Sequence, residues 1–358
     1  MSRVSRNKKF LNLKGVRVSY NPKDDTIHIT STDQDVAGEP FRVTLKKETE
    51  AESILRNLLV SKGLLKEQLS PNELLPSRAM YDFGISRNWQ EIPLGLTADG
   101  TANWDVARSP HMFLAGATGS GKSVIQRNIF FHCVAHNDNW SFVGIDLKRV
   151  ELSSFRDYTR TVDTIATTLE EAKAVLQRMV NTLEDRYRKM EEAGINHFSE
   201  LEDKTKAILI MMDEAFMTLA PEDVSTEEGK KRDILHEECR TYITKIARLG
   251  RAAGLHLVLA TQRPDTKAIS GQTSANLNIR ITAGKVNADT SLKLLGNISA
   301  TEIPGHIRGR GIIQINGEQE LFQGFYAPAS LIDDWILEFG KHIEPERYKY
   351  LISRVDEE

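Results

Sequence analysis

The sequence has few cysteines, no long apolar stretch and no excess of charge of either sign. Its two cysteines, Cys133 and Cys239, match neither a disulfide framework nor a metal-ligand spacing, which favours a reducing compartment. No stretch approaches the roughly 18 apolar residues that a membrane span needs, and no signal-peptide core follows the basic start of the chain. We therefore expect a cytoplasmic protein without an integral membrane segment, whose membrane association, if any, comes through a partner.

The charge balance excludes one class of nucleic-acid binder. The formal net charge is −3, whereas a protein that passively coats nucleic acid is usually basic overall. A protein that contacts phosphates through only a few loops remains compatible with this balance. With 40% hydrophobic and 27% charged residues, the composition is that of a globular chain with room for a large core and a smaller second domain.

The sequence pattern divides the chain into four segments. Residues 1–69 predict a small N-terminal α+β domain, with strands at 16–20, 26–30 and 41–45 and a helix at 48–65. Residues 70–105 form a proline-containing linker and two lead-in strands, near 91–95 and 102–104. Residues 106–328 form the main domain, and residues 329–358 predict a helical tail.

The main domain alternates apolar strands with helices. Near-continuous apolar runs are typical of strands buried on both faces of a parallel sheet. Helices are predicted at 124–135 and 168–192, and the apolar runs lie at 112–115, 142–145, 207–212, 255–260 and 279–281. The predicted fold class is α/β, with a mostly parallel central sheet.

A phosphate-binding loop follows the first of these strands and opens a helix. In such a loop, glycines let backbone N–H groups point at the phosphates, and the helix N-terminus adds positive potential. We expect Lys122 to reach the β- and γ-phosphates of ATP, and the Ser123 hydroxyl to bind Mg²⁺. The motif fits G-x-x-x-x-G-K-[ST] without a mismatch and consists of Gly116, Ala117, Thr118, Gly119, Ser120, Gly121, Lys122 and Ser123.

Two further strand ends carry polar residues suited to ATP hydrolysis. The strand at 207–212 ends in Asp213, which can hold Mg²⁺, and Glu214, which can polarise the attacking water. The strand at 255–260 is followed by Gln262, which can sense the γ-phosphate or orient the water. Both patterns also fit an ordinary strand-to-loop junction.

These residues together resemble the FtsK/SpoIIIE DNA translocases over about residues 90–328. The resemblance is carried by the segments at 110–123, 145–152, 211–214 and 250–264, of which the last is the most specific to that group. It implies a RecA-like P-loop NTPase, a homo-oligomer in the form of a hexameric ring, and ATP-driven movement along double-stranded DNA.

The resemblance also assigns individual arginines. It places Arg251 as an arginine finger that acts on the ATP of the neighbouring subunit, and Arg263 as a contact to the DNA backbone. From the sequence alone, Arg251 could equally satisfy carbonyls at a helix end, and Arg280 is the next candidate for the finger. Further candidate DNA contacts are Lys267, Lys285 and Lys293.

Several features depart from that family's pattern. We expect a soluble form that lacks both the membrane anchor and the winged-helix domain of the chromosome translocases. After the strand at 279–281 the family carries a basic residue, and the corresponding residue here is Ser291. The charged stretch at 221–233 is longer than is usual in the family and predicts a solvated insertion. The N-terminal segment carries no motif that we can assign to a family, and we expect it to bind an unidentified protein partner.

We therefore expect a DNA translocase that acts on plasmid or phage DNA. Two alternatives stay open: a secretion-type ATPase that moves polypeptide, and a P-loop nucleotide switch that regulates a partner.

Overall fold

The computed structural model describes residues 11–13, 16–21, 26–31, 42–46, 75–80, 88–201, 205–222, 224–265 and 267–326. They fall into two compact units, Met1–Ser77 and Arg78–Glu358. The helix predicted at 48–65 and the tail predicted at 329–358 lie outside the described residues. Within these residues, no helix is both long and apolar enough to cross a membrane.

The first unit contains an antiparallel sheet. Its strands are hydrogen-bonded in chain order, β1-β2-β3-β4, and β2 joins β3 as a hairpin that closes with Asn21 opposite Thr26. The three strands predicted in this segment are confirmed to within a residue, and β1 precedes them. The strands are β1 Leu11–Leu13, β2 Val16–Asn21, β3 Thr26–Ser31 and β4 Arg42–Lys46.

The second unit is built on one large mixed sheet, in the order β10-β9-β11-β12-β8-β13-β14-β15-β6-β7, with β5 paired to β15. From β10 to β13 the strands are parallel, and from β13 to β7 each strand is antiparallel to the next. The predicted parallel core is therefore confirmed. The strands are β5 Ala79–Met80, β6 Glu91–Thr97, β7 Gly100–Asp105, β8 His111–Gly116, β9 Trp140–Asp146, β10 Val162–Ala166, β11 Ala207–Asp213, β12 Leu255–Thr261, β13 Ile279–Ala283, β14 Arg310–Ile315 and β15 Glu318–Tyr326.

Helices cover both faces of this sheet. Side chains alternate between the faces along each strand, so Leu209 and Met211 of β11 join one apolar cluster, while Ile208 and Ile210 join the other. The first cluster contains the apolar side of α1, and the second contains those of α2 and α4. The helices are α1 Lys122–Ala135, α2 Leu169–Ala193, α3 Ala215–Leu219, α4 Glu227–Ala253, α5 Gly271–Ser274 and α6 Ala288–Leu295.

The charged stretch predicted as an insertion at 221–233 is only partly outside regular structure. From Glu227 onward its residues form the first turns of α4, and the Thr226 side chain caps that helix by accepting a hydrogen bond from the Gly229 backbone N–H at 2.9 Å. A threonine at this position satisfies one of the free N–H groups of the first turn. From Glu227 onward the stretch is therefore helical and mostly exposed, and its interpretation as a solvated insertion stays a prediction.

The register of the sheet brings the predicted site residues to one edge. Asp213 at the end of β11 pairs with Asp146 of β9, and Thr261 at the end of β12 pairs with Ala115 of β8. Because parallel strands end at the same edge, the phosphate-binding loop, Glu214 and Gln262 emerge side by side.

Candidate nucleotide-binding site

The phosphate-binding loop connects β8 to α1 as the motif predicts. Gly119 has φ 74° and Gly121 has φ 104°, a backbone conformation that glycine adopts without steric cost. No described side chain caps the first turn of α1, whereas Thr168 caps α2 and Asn287 caps α6. The N–H groups at the start of α1 are thus left for a ligand, and an anion suits them best.

Two glycines outside the motif support the loop from the side opposite the carboxylates. A Cβ on Gly284 would lie 2.8 Å from the Cβ of Ser120, and the Gly309 N–H donates to the Ser120 carbonyl at 3.3 Å. Neither glycine was predicted as part of the site. The only available signal was the position of each glycine, one directly after β13 and the other directly before β14.

Lys122 lies between two buried carboxylates at the edge of the sheet. Its ammonium is 2.5 Å from Asp213 Oδ1 and 3.4 Å from Glu214 Oε1. Lys122 and Glu214 are each only 6% exposed and Asp213 is 3% exposed, so these charges are compensated mainly by one another. The structure therefore brings together the lysine, the predicted metal ligand and the predicted base.

Glu214 is held on several sides. Its backbone is left-handed, with φ 47°, an uncommon conformation for a residue other than glycine and one that turns the chain from β11 into α3. Its Oε2 accepts a hydrogen bond from the Gln262 backbone N–H at 3.1 Å, and its Oε1 lies 3.5 Å from Lys148 Nζ. Gln262 thus contacts Glu214 through its backbone. The role predicted for its side chain stays a prediction.

The residues at this edge fit a magnesium nucleotide. A hydroxyl at Ser123 and a carboxylate at Asp213 are the oxygen donors that Mg²⁺ prefers, and they lie at the start of α1 and the end of β11. The uncapped helix end and the Lys122 ammonium suit phosphate. We expect Ser123 and Asp213 to hold the metal, and Lys122 to contact the β- and γ-phosphates.

Arg251 lies at the opposite edge of the sheet. It sits in the last turn of α4, just before β12 begins, and its Nε donates to the Ala107 carbonyl at 2.8 Å, ahead of β8. The whole length of β8 separates it from the phosphate-binding loop, roughly 20 Å at about 3.3 Å per residue. Arg251 is therefore out of reach of its own subunit's phosphates.

Arg280 is unsuited to the role of a finger. Its guanidinium donates to the backbone carbonyls of Leu277, Leu294 and Ser274, all within the same unit. Burial also lowers the pKa of Arg280 from its ordinary value. These bonds tie β13 to its flanking helices and disfavour Arg280 as the next candidate for the finger, but that role stays a prediction.

The predicted DNA contacts differ in their surroundings. Arg263 and Lys267 are exposed on the segment after β12, and Lys285 is exposed one residue after Gly284. Lys293 pairs with Asp289 one helical turn away, at 2.9 Å. Ser291, which stands where a basic residue was expected, is buried and donates to the Asn297 carbonyl at 2.7 Å.

The comparisons with known proteins identify the domain that carries this site. Residues 85–237 match the FtsK/SpoIIIE family. The chain contains an FtsK/SpoIIIE-family domain. Among curated relatives it is 30% identical over 224 residues to a DNA translocase FtsK of Streptococcus pneumoniae, and 32% identical over 219 residues to that of Lactococcus lactis. These alignments cover 62% and 60% of this chain and 29% of each relative, so the chain spans less than a third of their length.

Solved structures show the same RecA-like P-loop ATPase fold. The pCW3 conjugation coupling protein TcpA, solved as a monomer form with ATPγS, has a TM-score of 0.64 and 25% identity, and the match covers 96% of this chain and 92% of that one. EssC ATPases 2 and 3 from Geobacillus thermodenitrificans have a TM-score of 0.62 at 17% identity, covering 79% of this chain and 53% of theirs. The fold class predicted from the sequence is confirmed.

Proposed function

We propose that this chain is an ATPase that uses ATP hydrolysis to move double-stranded DNA. The observation that carries the proposal is the cluster of Lys122, Asp213 and Glu214 at the phosphate-binding loop of an FtsK/SpoIIIE-family domain. The relatives are named as DNA translocases, and the structural neighbour TcpA as a conjugation coupling protein. A role in the transfer of plasmid or phage DNA in the cytoplasm fits these names.

The chemistry follows from the charges at the sheet edge. Lys122 would move its ammonium from Asp213 to the phosphates, which frees the Asp213 carboxylate for the metal. Mg²⁺, when bound, supplies positive charge that neutralises the phosphate oxygens. Glu214, held by the Gln262 N–H, would accept a proton from the attacking water.

The proposed contact with DNA is to its backbone and is independent of sequence. Arg263 carries this role best, because its side chain is exposed and pairs with no other described residue. Lys267 and Lys285 are exposed at the same edge of the sheet, whereas the ammonium of Lys293 is already paired with Asp289. Contacts of this kind weaken steeply with salt, because binding releases counterions from the phosphates.

We also propose that the working unit is a closed ring, of six subunits by the resemblance to this family. The developing charge on the γ-phosphate needs a cation, and Arg251 lies at the edge opposite its own phosphate-binding loop. In the proposed head-to-tail ring, that opposite edge would face the site of the neighbouring subunit. Arginine suits the role, since its planar guanidinium can bind two phosphate oxygens at once.

A second candidate function is the movement of polypeptide. The type VII secretion ATPase EccC of Thermomonospora curvata matches with a TM-score of 0.52 and 26% identity, over 72% of this chain. The names of the curated relatives favour DNA, but this likeness keeps a polypeptide substrate as the alternative to be tested.

The test is steady-state ATP hydrolysis alone, with two duplex DNAs of unrelated sequence, and with an unfolded polypeptide. We expect both duplexes to raise the rate equally and the effect to fade as salt increases. Stimulation by polypeptide alone would support the secretion function, and a slow rate that nothing stimulates would support a nucleotide switch.

A further inference from the structure

Lys148 is a positively charged residue of the site to which the proposed function assigns no role. Lys148 follows β9, on a loop that Asp146 shapes by accepting hydrogen bonds from the backbone N–H groups of Arg149 at 2.9 Å and Leu152 at 3.0 Å. This loop brings Lys148 Nζ to within 3.5 Å of Glu214 Oε1. Lys122 lies 3.4 Å from the same oxygen atom, so two ammonium groups share one carboxylate oxygen.

The two lysines differ in how freely they can move. The side chain of Lys122 is 7% exposed and also contacts Asp213, whereas the side chain of Lys148 is 40% exposed and has its one described ion pair with Glu214. Phosphate would draw Lys122 away from Glu214, because a polyanion attracts the ammonium more strongly than one carboxylate does. The Lys148 side chain can follow Glu214, since 40% of it is exposed to solvent and packing leaves it free to move.

If the Lys122 ammonium moved to the phosphates, Glu214 would lose one of its two counter-ions. A buried carboxylate without a counter-ion is strongly unfavourable, and here it would also face a triphosphate of the same charge. We propose that Lys148 is the counter-ion that stays with Glu214 when Lys122 turns to the phosphates. Lys148 is thus a positioning residue, which compensates the charge of the proposed base and holds its side chain in place while nucleotide binds.

The inference rests on the proposed function only in that the site binds ATP. It is tested by the affinity for Mg²⁺–ATPγS, measured by calorimetry on the full chain. We expect Lys148→Gln to weaken binding about three- to tenfold, because Glu214 then repels the phosphates without compensation. Lys148→Arg, which keeps the charge, should bind nearly as tightly as the wild type.

A matched control comes from the next residue. Arg149 is exposed and carries the same charge on the same loop, but its side chain makes no hydrogen bond or ion pair with another described residue. Arg149→Gln should therefore bind ATPγS like the wild type. An equal loss in Arg149→Gln would overturn the proposal, because the effect would then come from net charge alone.

A double-mutant cycle with Glu214→Gln separates the two ways in which Lys148 could act. If Lys148 serves Glu214, then Lys148→Gln should have no further effect once the carboxylate is neutral. The same loss in the Glu214→Gln background would mean that Lys148 contacts the phosphate itself, and unchanged binding in the single variant would also contradict the proposal. Wild-type protein that binds ATPγS but never hydrolyses ATP would contradict only the proposed function, whereas no binding at all would contradict both.

Discussion

At the scale of single residues, the nucleotide site depends on charges that compensate one another inside the protein. Lys122 has two buried carboxylates within 3.4 Å of its ammonium, one at the end of β11 and the other directly after it. The proposed role of the neighbouring Glu214 is to act on a different species, the attacking water molecule. Substitutions at the two residues should therefore have different effects, one on ATP binding and the other on hydrolysis.

We predict that Lys122→Ala abolishes tight ATP binding, because it removes the ammonium group that would contact the β- and γ-phosphates. Glu214→Gln should keep binding but slow hydrolysis at least about a hundredfold, since the carboxylate serves the transition state more than the bound nucleotide. Equilibrium binding and single-turnover hydrolysis separate these outcomes. Wild-type turnover by Glu214→Gln would show that another group is the base.

Two buried histidines predict how stability depends on pH. Burial lowers the pKa of His111 to about 3 and that of His256 to about 3, well below the ordinary value near 6.5. In the unfolded chain these two histidines therefore bind protons at a higher pH than in the folded chain. The free energy of unfolding should fall as the pH drops from about 6.5 towards 3. Between pH 7.5 and 5.5 we expect a loss of about 2–3 kcal/mol from the pair, measured by urea denaturation.

The controls for this prediction are substitutions at one buried and one exposed histidine. His256→Gln should make the pH dependence shallower, and His306→Gln, at an exposed position, should leave it unchanged. Equal slopes in all three proteins would contradict the account.

At the scale of elements, the two long helices both end at a glycine, but the two glycines have different surroundings. Gly194 ends α2 and Gly254 ends α4, both in the left-handed conformation, with φ 67° and 71°. A Cβ on Gly194 would meet nothing within 4 Å, whereas one on Gly254 would lie 2.5 Å from the ring of Phe198. The two sites therefore separate backbone strain from steric clash.

We predict that Gly194→Ala destabilises the fold by about 1–2 kcal/mol, the cost of a left-handed alanine. Gly254→Ala should cost clearly more, because the methyl group must also displace the packed ring of Phe198. Thermal unfolding of the two variants gives the comparison. Equal losses would show that the ring moves aside freely.

The elements that could be predicted from the sequence are those with a strong local pattern of their own. The apolar strands around β8, β11 and β12 were predicted because they are buried on both faces, and the phosphate-binding loop because its chemistry fixes its spacing. The exposed first turns of α4 were missed, since their charges resemble a loop and only Thr226 marks the start. The contacts of Lys148 and Gly309 come from segments distant in the chain, which a single sequence cannot pair.

At the scale of the whole molecule, Arg251 is separated from its own phosphate-binding loop, so the proposed finger requires a neighbouring subunit. In GTPases a finger supplied in trans is worth about three to five orders of magnitude in rate, or about 4–7 kcal/mol. We expect Arg251→Ala alone and Lys122→Ala alone to be nearly inactive. A mixture of the two should regain ATPase activity, because a subunit with an intact phosphate-binding loop can receive Arg251 from a Lys122→Ala neighbour.

This complementation distinguishes a trans role from a local one. Arg251 also bonds the Ala107 carbonyl, so a purely structural role predicts unfolding of the variant and no recovery on mixing. Full activity of Arg251→Ala, or of the wild type as a dilute monomer, would show that the finger lies elsewhere.

The most direct measurement of the central claim is ATP-dependent displacement of a third strand from duplex DNA by the full chain. A translocating motor should strip the bound oligonucleotide at a rate that tracks ATP hydrolysis and is the same for unrelated duplex sequences. Arg263→Ala should lose displacement and DNA stimulation while it keeps most basal hydrolysis, and Lys122→Ala should lose all three. DNA-stimulated hydrolysis that leaves the third strand in place would contradict the account.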